Sequence, residues 1–474
     1  MDAPKKNTAL SFSEFPAVST EEWEAIISRD LKGADYKETL LWKTGEGIDV
    51  LPIYRSEHLN NLPHLNSTSN DATGDWDIKE YIKAATAEQA NKQALDALEK
   101  GASGLFFDIP ADAISSEKDV SNLFKDILLD IIKVHFSPQA ISEGSKSALN
   151  AFIKNSGFDG TQLFISTLFD PFEQAIHTGT LLSKEEIEQT LLSRLSDYGP
   201  ALGVHAAGYG NKGATIVQQL AFALATAHEY LAHANKDQIT DIAKSIHFNF
   251  SVSSSYFPEI AKLRAFRILW QQILNTYELN RIESYVSVET ALWNKSTMDA
   301  TNNILRGTTE AMSAAIGGCN AIMVRPFDEL YKEHNGFSQR IARNIQHILL
   351  EESYLNKVSD PSQGSYYLEV ITDALAQKAW SLFQEIESKG GFHACIEDGF
   401  IQDSIIKSQQ AAVGAVQDGT TSIIGVNKHP KKDEVIPELI LEEIHYAFAP
   451  TSFQSVARVP TVRIAEAIEQ GGAS

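Results

Sequence analysis

The chain has 474 residues, of which 43% are hydrophobic and 22% charged, a composition typical of a soluble globular protein. Its formal net charge of −22 repels phosphate backbones and anionic lipid surfaces, so neither a nucleic-acid partner nor a membrane is expected. The two cysteines, Cys319 and Cys395, lack metal-ligand spacing, and no apolar run approaches the ~20 residues of a membrane helix, so a cytoplasmic protein is predicted.

Residues 1–75 are predicted to form an N-terminal arm and linker. The segment WEAIISRDL (23–31) has the apolar spacing of a short amphipathic helix. Residues 59–75 are rich in Asn, Ser and Thr, which is typical of a linker. Such an arm cannot bury its own apolar residues, so we expect it to lie on the rest of the chain or on a partner.

Residues 76–425 alternate between predicted strands and predicted helices. Amphipathic helical stretches such as 86–101 and 216–234 separate short β-rich runs. Eight candidate strands cover residues 104–109, 132–136, 162–167, 201–206, 246–253, 284–290, 321–327 and 354–360. Alternation of this kind indicates a parallel sheet, and the number eight predicts a closed (β/α)8 TIM barrel, an α/β fold.

Residues 426–474 are predicted to form a short C-terminal helical tail. A charged turn at 428–434 is followed by two helical patterns, LILEEIHYAF (439–448) and TVRIAEAIEQ (461–470). No further domain of ~100 residues is expected after the barrel.

Several longer motifs in the barrel region resemble a known family. They are EIAKLRAFRILW (259–270), RIARN (340–344), DPSQGSYYLE (360–369), IGVNK (424–428), WDIKEY (76–81) and LFDPFEQAIHTG (168–179). These motifs are similar to the barrel of the methylmalonyl-CoA mutase family, and in particular to the small chains of its heterodimeric bacterial members. Two of these motifs also have a scaffold interpretation, DPSQGS as a turn before an apolar run and AKLRAFRILW as an amphipathic helix.

The resemblance implies a radical enzyme that interconverts (R)-methylmalonyl-CoA and succinyl-CoA with adenosylcobalamin. In the family's catalytic chain, a C-terminal domain holds cobalamin through the histidine of a DxHxxG motif. None of the 13 histidines here has Asp two residues before it, and the nearest match, GVHAAG (203–208), has Gly203 instead. We therefore expect no cofactor and no metal on this chain. Adenosylcobalamin would be held by a large catalytic partner subunit, and the acyl-CoA would be a substrate of the complex.

Three residues are candidates for a vestigial site under this resemblance. Tyr81 stands in KEYIKA, where catalytic chains carry a RQYAGF-type motif. Gly208 takes the place of the family's loop histidine, three residues from His205. Arg325 follows a predicted strand and can bind a carboxylate or pair with Asp328 or Glu329. The favoured interpretations are packing, a strand-end hydrogen bond and a salt bridge, so the chain alone is predicted to be inactive.

Three alternatives remain open. The first is a nicotinamide-dependent oxidoreductase, because GYGNKG (208–213) matches the dinucleotide fingerprint GxGxxG. The next predicted strand, however, ends in serines rather than in an acidic residue, so the glycines are expected to shape a βα loop. The chain can also be the catalytic barrel of an acyl-CoA mutase whose cobalamin domain is a separate chain, with the serines of 251–256 lining a CoA channel. The third alternative is a scaffold protein without a mutase partner.

Overall fold

The computed structural model describes residues 14–15, 18–66, 74–195, 198–279, 282–333, 335–431, 435–440, 446–447 and 452–471. The chain divides into two compact units, Met1–Arg55 and Ser56–Ser474.

The first unit is small and has little core of its own. It contains the helices Thr20–Asp30 and Tyr36–Leu40 and an antiparallel pair of short strands, Trp42–Lys43 and Asp49–Val50. Ser19 and Glu22 cap the first helix reciprocally, which confirms a helix here and starts it three residues earlier than predicted. Among its described residues only Ile48 and Val50 are buried.

The second unit contains an eight-stranded parallel barrel. Its strands are β1 (Asp77–Lys83), β2 (Gly104–Asp108), β3 (Lys133–Phe136), β4 (Ile165–Ser166), β5 (Leu202–Val204), β6 (Ile246–Val252), β7 (Tyr285–Thr290) and β8 (Ala321–Met323). Their order in the sheet is β4-β3-β2-β1-β8-β7-β6-β5. A parallel bridge between Phe169 and Leu202 joins the two ends, with the Gly203 N–H donating to the Phe169 carbonyl at 2.8 Å. The predicted (β/α)8 barrel is therefore confirmed.

Helices lie between the strands in the sequence and also follow the last strand. The α-helices are Ala87–Glu99, Glu117–Leu123, Glu143–Ser156, Pro171–Thr178, Lys184–Arg194, Ala206–Gly210, Ile216–Ala232, Ile239–Lys244, Tyr256–Thr276, Asn302–Gly317, Gly336–His347, Tyr366–Ser388, Gly391–Glu397, Phe400–Gln417 and Glu466–Gly471. The shorter turns are 3-10 helices at Ser56–Leu59, Pro63–Asn66, Ala111–Ile114 and Gly160–Gln162, and a π-helix at Ile348–Glu352. No helix of the described part of the chain is long and apolar enough to cross a membrane.

Strand alternation separates an outer core from the barrel axis. Leu105 and Phe107 of β2, with Val134 and Phe136 of β3, pack in one buried cluster with the apolar face of Ala87–Glu99. The intervening residues point to the opposite face of the sheet, which is the barrel axis. The axis is therefore lined by residues such as Phe106 and His135.

One predicted strand is wrong, and a different segment supplies the eighth. Residues 354–360 form turns, with Tyr354 and Asp360 at positive φ. The missing strand is β1, in which Lys79 and Glu80 interrupt the apolar pattern although they are 1% and 5% exposed. Glu80 is buried because Arg343 of the motif RIARN donates to its carboxylate at 2.8 Å.

The tail differs from its prediction as well. The second tail helix begins at Glu466 rather than at residue 461. Of the helix predicted at 439–448, the described residues 439–440 and 446–447 are not helical, and the remainder lies outside the described residues.

A buried ion-pair network joins two of the family-like motifs. Arg264, in the helix Tyr256–Thr276, donates to Asp360 at 3.2 Å, to Glu369 at 2.9 Å and to Thr372 at 3.1 Å. His64 reaches the same Glu369 at 2.7 Å. The network fixes the turn at 360–364 and the helix Tyr366–Ser388 against the helix that follows β6.

We expect Arg264→Met to lower the free energy of unfolding by about 3–5 kcal/mol, because it leaves Asp360 and Glu369 buried without their cation. Chemical denaturation measures the change. The matched control is Lys100→Met, which breaks the exposed pair with Asp96 and should have no measurable effect. Equal losses for the two variants would contradict the assigned role of Arg264.

We also expect His64→Gln to destabilise the chain more at about pH 6 than at about pH 9. Burial opposes the charged ring, but Asp373 and Glu369 together outweigh it and raise the pKa of His64. The stabilisation by protonated His64 is therefore complete below its ordinary pKa of about 6.5 and is lost as the pH rises through the raised pKa. Denaturation at both pH values tests this, with the exposed His429→Gln as control. The same loss at both pH values would exclude a charged His64.

Candidate active-site face of the barrel

Four side chains fill the axis near the carboxyl ends of the strands, and we call them the axis plug. They are Tyr81, Phe106, Leu168 and Met323, which form one buried apolar cluster. The Tyr81 and Phe106 rings stack with centroids 6.1 Å apart, and no member is more than 8% exposed. The carboxyl ends of the strands carry the active site in TIM-barrel enzymes, so the plug lies where a substrate would enter the axis.

Leu168 enters the plug from an unusual backbone conformation. Its φ is +43°, in the left-handed region that a branched side chain rarely adopts. The adjoining strand permits this because Gly203 has no Cβ: one built there would lie 2.5–2.8 Å from the Leu168 backbone. Gly203 is the residue that stands where the cobalamin motif has Asp, and here it serves close packing.

Beneath the plug, aromatic rings and small polar groups continue to occupy the axis. His247 is bonded to Ser166 at 2.6 Å and to Ser287 at 2.7 Å, and its ring lies 5.2 Å from that of His135. Both histidines are fully buried, and burial, reinforced by nearby Lys79, holds their pKa values well below the ordinary range. Tyr285 stacks beside His135 at 5.8 Å.

Tyr81 and Arg325 lie together at the end of the axis. The Tyr81 hydroxyl donates to Asp108 at 2.5 Å, and the Arg325 guanidinium lies 4.6 Å above the Tyr81 ring. Arg325 donates from Nε to Glu329 at 2.9 Å and from Nη2 at 2.5 Å. The structure thus places Arg325 in the salt bridge that was favoured, with Glu329 rather than Asp328. Burial first, and then Asp108, raise the pKa of Tyr81 well above its ordinary value, so its phenol stays protonated.

His205 lies in a separate cluster at the ends of β4 and β5. Its backbone N–H donates to Asp170 at 2.8 Å, and its Nδ1 lies 3.8 Å from the Glu173 carboxylate. Burial opposes the charged imidazole, but Glu173, Glu289 and Asp170 together outweigh it and raise the pKa of His205. His205 therefore acts as a buried partner of carboxylates.

Glu173 is the centre of this cluster. It is 1% exposed and accepts a hydrogen bond from the Tyr446 hydroxyl. Burial opposes its ionisation, but His205, Lys212 and His177 lower its pKa to about 2, so it is held as an anion. Lys212 in turn bonds to His177 at 3.0 Å.

Glu173 also occupies the space beside Gly208. A Cβ built on Gly208 would lie 2.4–2.6 Å from three side-chain atoms of Glu173. Gly208 stands where the family's loop histidine is expected. The carboxylate and a side chain at position 208 therefore exclude one another.

The glycines of GYGNKG shape the loop between β5 and the next long helix. Gly213 has φ +89°, and a Cβ on Gly210 would lie 2.2 Å from Ser251 Oγ. These close approaches agree with the βα-loop interpretation and leave no cradle for a pyrophosphate at Gly208 or Gly210.

A C-terminal strap, residues 446–447 and 452–471, crosses the same face. The Val459 N–H of the strap donates to the Ile176 carbonyl, in the segment after β4, at 3.0 Å. Thr461 Oγ1 accepts from Lys212, in the loop after β5, at 3.0 Å. Its last turn is anchored after β7, where Glu469 accepts from Ser296 at 2.7 Å and pairs with Arg463 at 2.5 Å. All members of this anchor are at most 5% exposed. The strap thus covers several of the loops that would form an active site.

His205, the histidine nearest the expected position of a cobalt ligand, is buried and directed to Glu173. Among the described residues no group of three or more His, Cys, Asp or Glu side chains could hold a metal ion. The candidate residues taken from the sequence did not include Glu173, Lys212 or Tyr446. The motif LFDPFEQAIHTG, which contains Leu168, Asp170 and Glu173, carried the available signal.

The chain is similar in sequence to known proteins of one family. A sequence model of methylmalonyl-CoA mutase matches residues 44–470. The methylmalonyl-CoA mutase small subunit of Porphyromonas gingivalis is 36% identical over 90% of this chain and 72% of that protein. The methylmalonyl-CoA mutase small subunit of Propionibacterium freudenreichii subsp. shermanii is 30% identical over 82% of this chain and 65% of its own length. The methylmalonyl-CoA mutase of Rhizobium meliloti is 30% identical over 87% of this chain and 64% of its own length. The chain therefore spans 64–72% of the length of these relatives.

We expect Gly208→Ala to lower the free energy of unfolding by about 1–3 kcal/mol, because the new Cβ meets the Glu173 side chain. The loss should be smaller in a Glu173→Ala background, where the clashing atoms are absent. Gly414→Ala is the control: no atom lies within 4 Å of its Cβ, so this mid-helix change should be neutral or stabilising by up to about 1 kcal/mol. An identical cost of Gly208→Ala in both backgrounds would show that Glu173 does not exclude a side chain there.

Proposed function

The chain belongs to the methylmalonyl-CoA mutase family, and from this we propose that it is the small, non-catalytic subunit of a mutase complex in the cytoplasm. Its partner would be a large chain that holds adenosylcobalamin, on which the family depends. The complex would interconvert (R)-methylmalonyl-CoA and succinyl-CoA. In this proposal residues 76–425 are the supporting barrel, flanked by an arm at 1–75 and a tail at 426–474.

The observation that carries the proposal is the occupied barrel axis. The axis plug fills the entrance, and His135 and His247 fill the space below. An acyl-CoA arm in the axis would have to displace the plug together with these rings. Close packing of this kind cannot be opened without losing several kcal/mol of buried contacts.

The polar side chains at the carboxyl ends of the barrel strands also support a non-catalytic role. Tyr81, Arg325 and His205 have protein partners: Asp108, Glu329 and the carboxylates of Asp170 and Glu173. A catalytic group must touch the substrate or the cofactor, and these side chains are directed to each other. We therefore assign them to the scaffold and the radical chemistry to the partner's cofactor. The same geometry counts against a catalytic barrel that borrows a free cobalamin domain.

The purified chain is expected to retain no corrinoid after incubation with adenosylcobalamin and gel filtration, and to show no turnover of methylmalonyl-CoA. The measurements are the visible spectrum of the protein peak and an assay of succinyl-CoA. The control is the longer mutase chain of the same genome, expressed with this chain, which should elute with it as a heterodimer with corrinoid bound. Stoichiometric corrinoid on the lone chain, with turnover, would overturn the proposal.

A further inference from the structure

We propose that the longer mutase chain docks on an apolar rim patch formed by Leu305, Phe337 and Ile424, and that it presents apolar side chains ringed by carboxylates. This inference rests on the proposed function. The three side chains are 67%, 66% and 51% exposed, respectively. Leu305 and Phe337 lie in the first turns of the helices that follow β7 and β8. Exposed apolar groups that cluster in this way mark interaction sites more often than single ones do.

The contacts between these elements bring together the three segments that carry the exposed side chains. Arg306, the neighbour of Leu305, donates to the Ile424 carbonyl at 2.7 Å. Asn303 in the same helix donates to the Phe327 carbonyl at 3.1 Å, and the Phe327 ring lies 6.3 Å from that of Phe337. The patch therefore extends from the loop at 424 across the start of one helix to the start of the next.

The loop that carries Ile424 is held rigidly, although its motif IGVNK has no part in the site described above. Asn427 accepts from the Ile423 N–H at 2.7 Å and donates to the carbonyls of Val416 and Thr421 at 2.8 and 2.7 Å. Gly425 has φ +82° and packs so closely on Asp299 that a Cβ would lie 2.8 Å from it. An exposed apolar side chain on a fixed loop loses little entropy on binding, which favours association.

The charges around the patch indicate the kind of partner. Lys428 and Arg340 are exposed and lie within four residues of Ile424 and Phe337, and Lys431 follows in the same loop. Glu333 is an exposed carboxylate in the loop before Phe337. A locally basic rim is unusual on a chain with net charge −22, and it would attract an acidic rim on the partner.

The test measures association of this chain with the longer mutase chain of the same genome. We expect Leu305→Asp with Ile424→Asp to weaken binding about tenfold or more, because it places charge in the buried centre of the interface. Lys428→Glu with Lys431→Glu should slow association and reduce its dependence on salt. The matched control is Leu128→Asp with Ile131→Asp, two residues that are 62% and 68% exposed at the other end of the barrel, before β3. This control should bind normally, and all variants should keep the thermal midpoint of the wild type.

The outcomes separate the two proposals. Normal binding by both patch variants, or equal weakening by the control, overturns the rim patch and leaves the proposed function standing. If the wild-type chain does not bind the longer chain at all, the proposed function fails, and the patch assignment fails with it. Self-association of the wild type that the patch variants abolish would assign the patch to a second copy of this chain and overturn the partner named here.

Discussion

The contact between the backbone of Leu168 and Gly203 determines the character of the barrel's mouth. Because residue 203 has no side chain, β5 lies close enough to hold Leu168 at positive φ. In that conformation the leucine packs with Tyr81, Phe106 and Met323 and completes the plug. Strained backbone often occurs at binding sites, and here the same strain supports a filled axis.

The motifs that carry the family resemblance mainly serve the scaffold. Arg264 of EIAKLRAFRILW is paired with Asp360 and Glu369 of DPSQGSYYLE, and Arg343 of RIARN is paired with Glu80 of WDIKEY. Buried pairs of this type are costly to break, so they fix which helix packs on which strand. A chain can therefore retain the fold of the family while the groups at its active face turn to one another. The resemblance therefore predicts the architecture, whereas the partners of the polar groups at the active face are seen only in the structure.

The sequence predicted those elements whose local pattern agrees with their environment. GLFFDI and IHFNFSVS became β2 and β6 because their apolar residues are buried. β1 was missed because Lys79 and Glu80 are both buried, Lys79 on the axis side of the strand and Glu80 against Arg343 of a surrounding helix, and only tertiary contacts make this possible. The pairing of Arg325 with Glu329 was predictable because four residues separate them. The bond between Tyr446 and Glu173 spans 273 residues, and no local pattern indicates it.

The strap gives the order of synthesis a structural meaning. Glu173, Lys212 and Ser296 are made long before the residues that cover them, because Tyr446, Thr461 and Glu469 follow them in the chain by 273, 249 and 173 residues, respectively. Chains begin to fold during synthesis, from the N-terminal side. The nascent barrel must therefore carry an open and charged mouth until the strap has been synthesised. A chain that lacks the strap would leave Glu173, Lys212 and Ser296 without these partners.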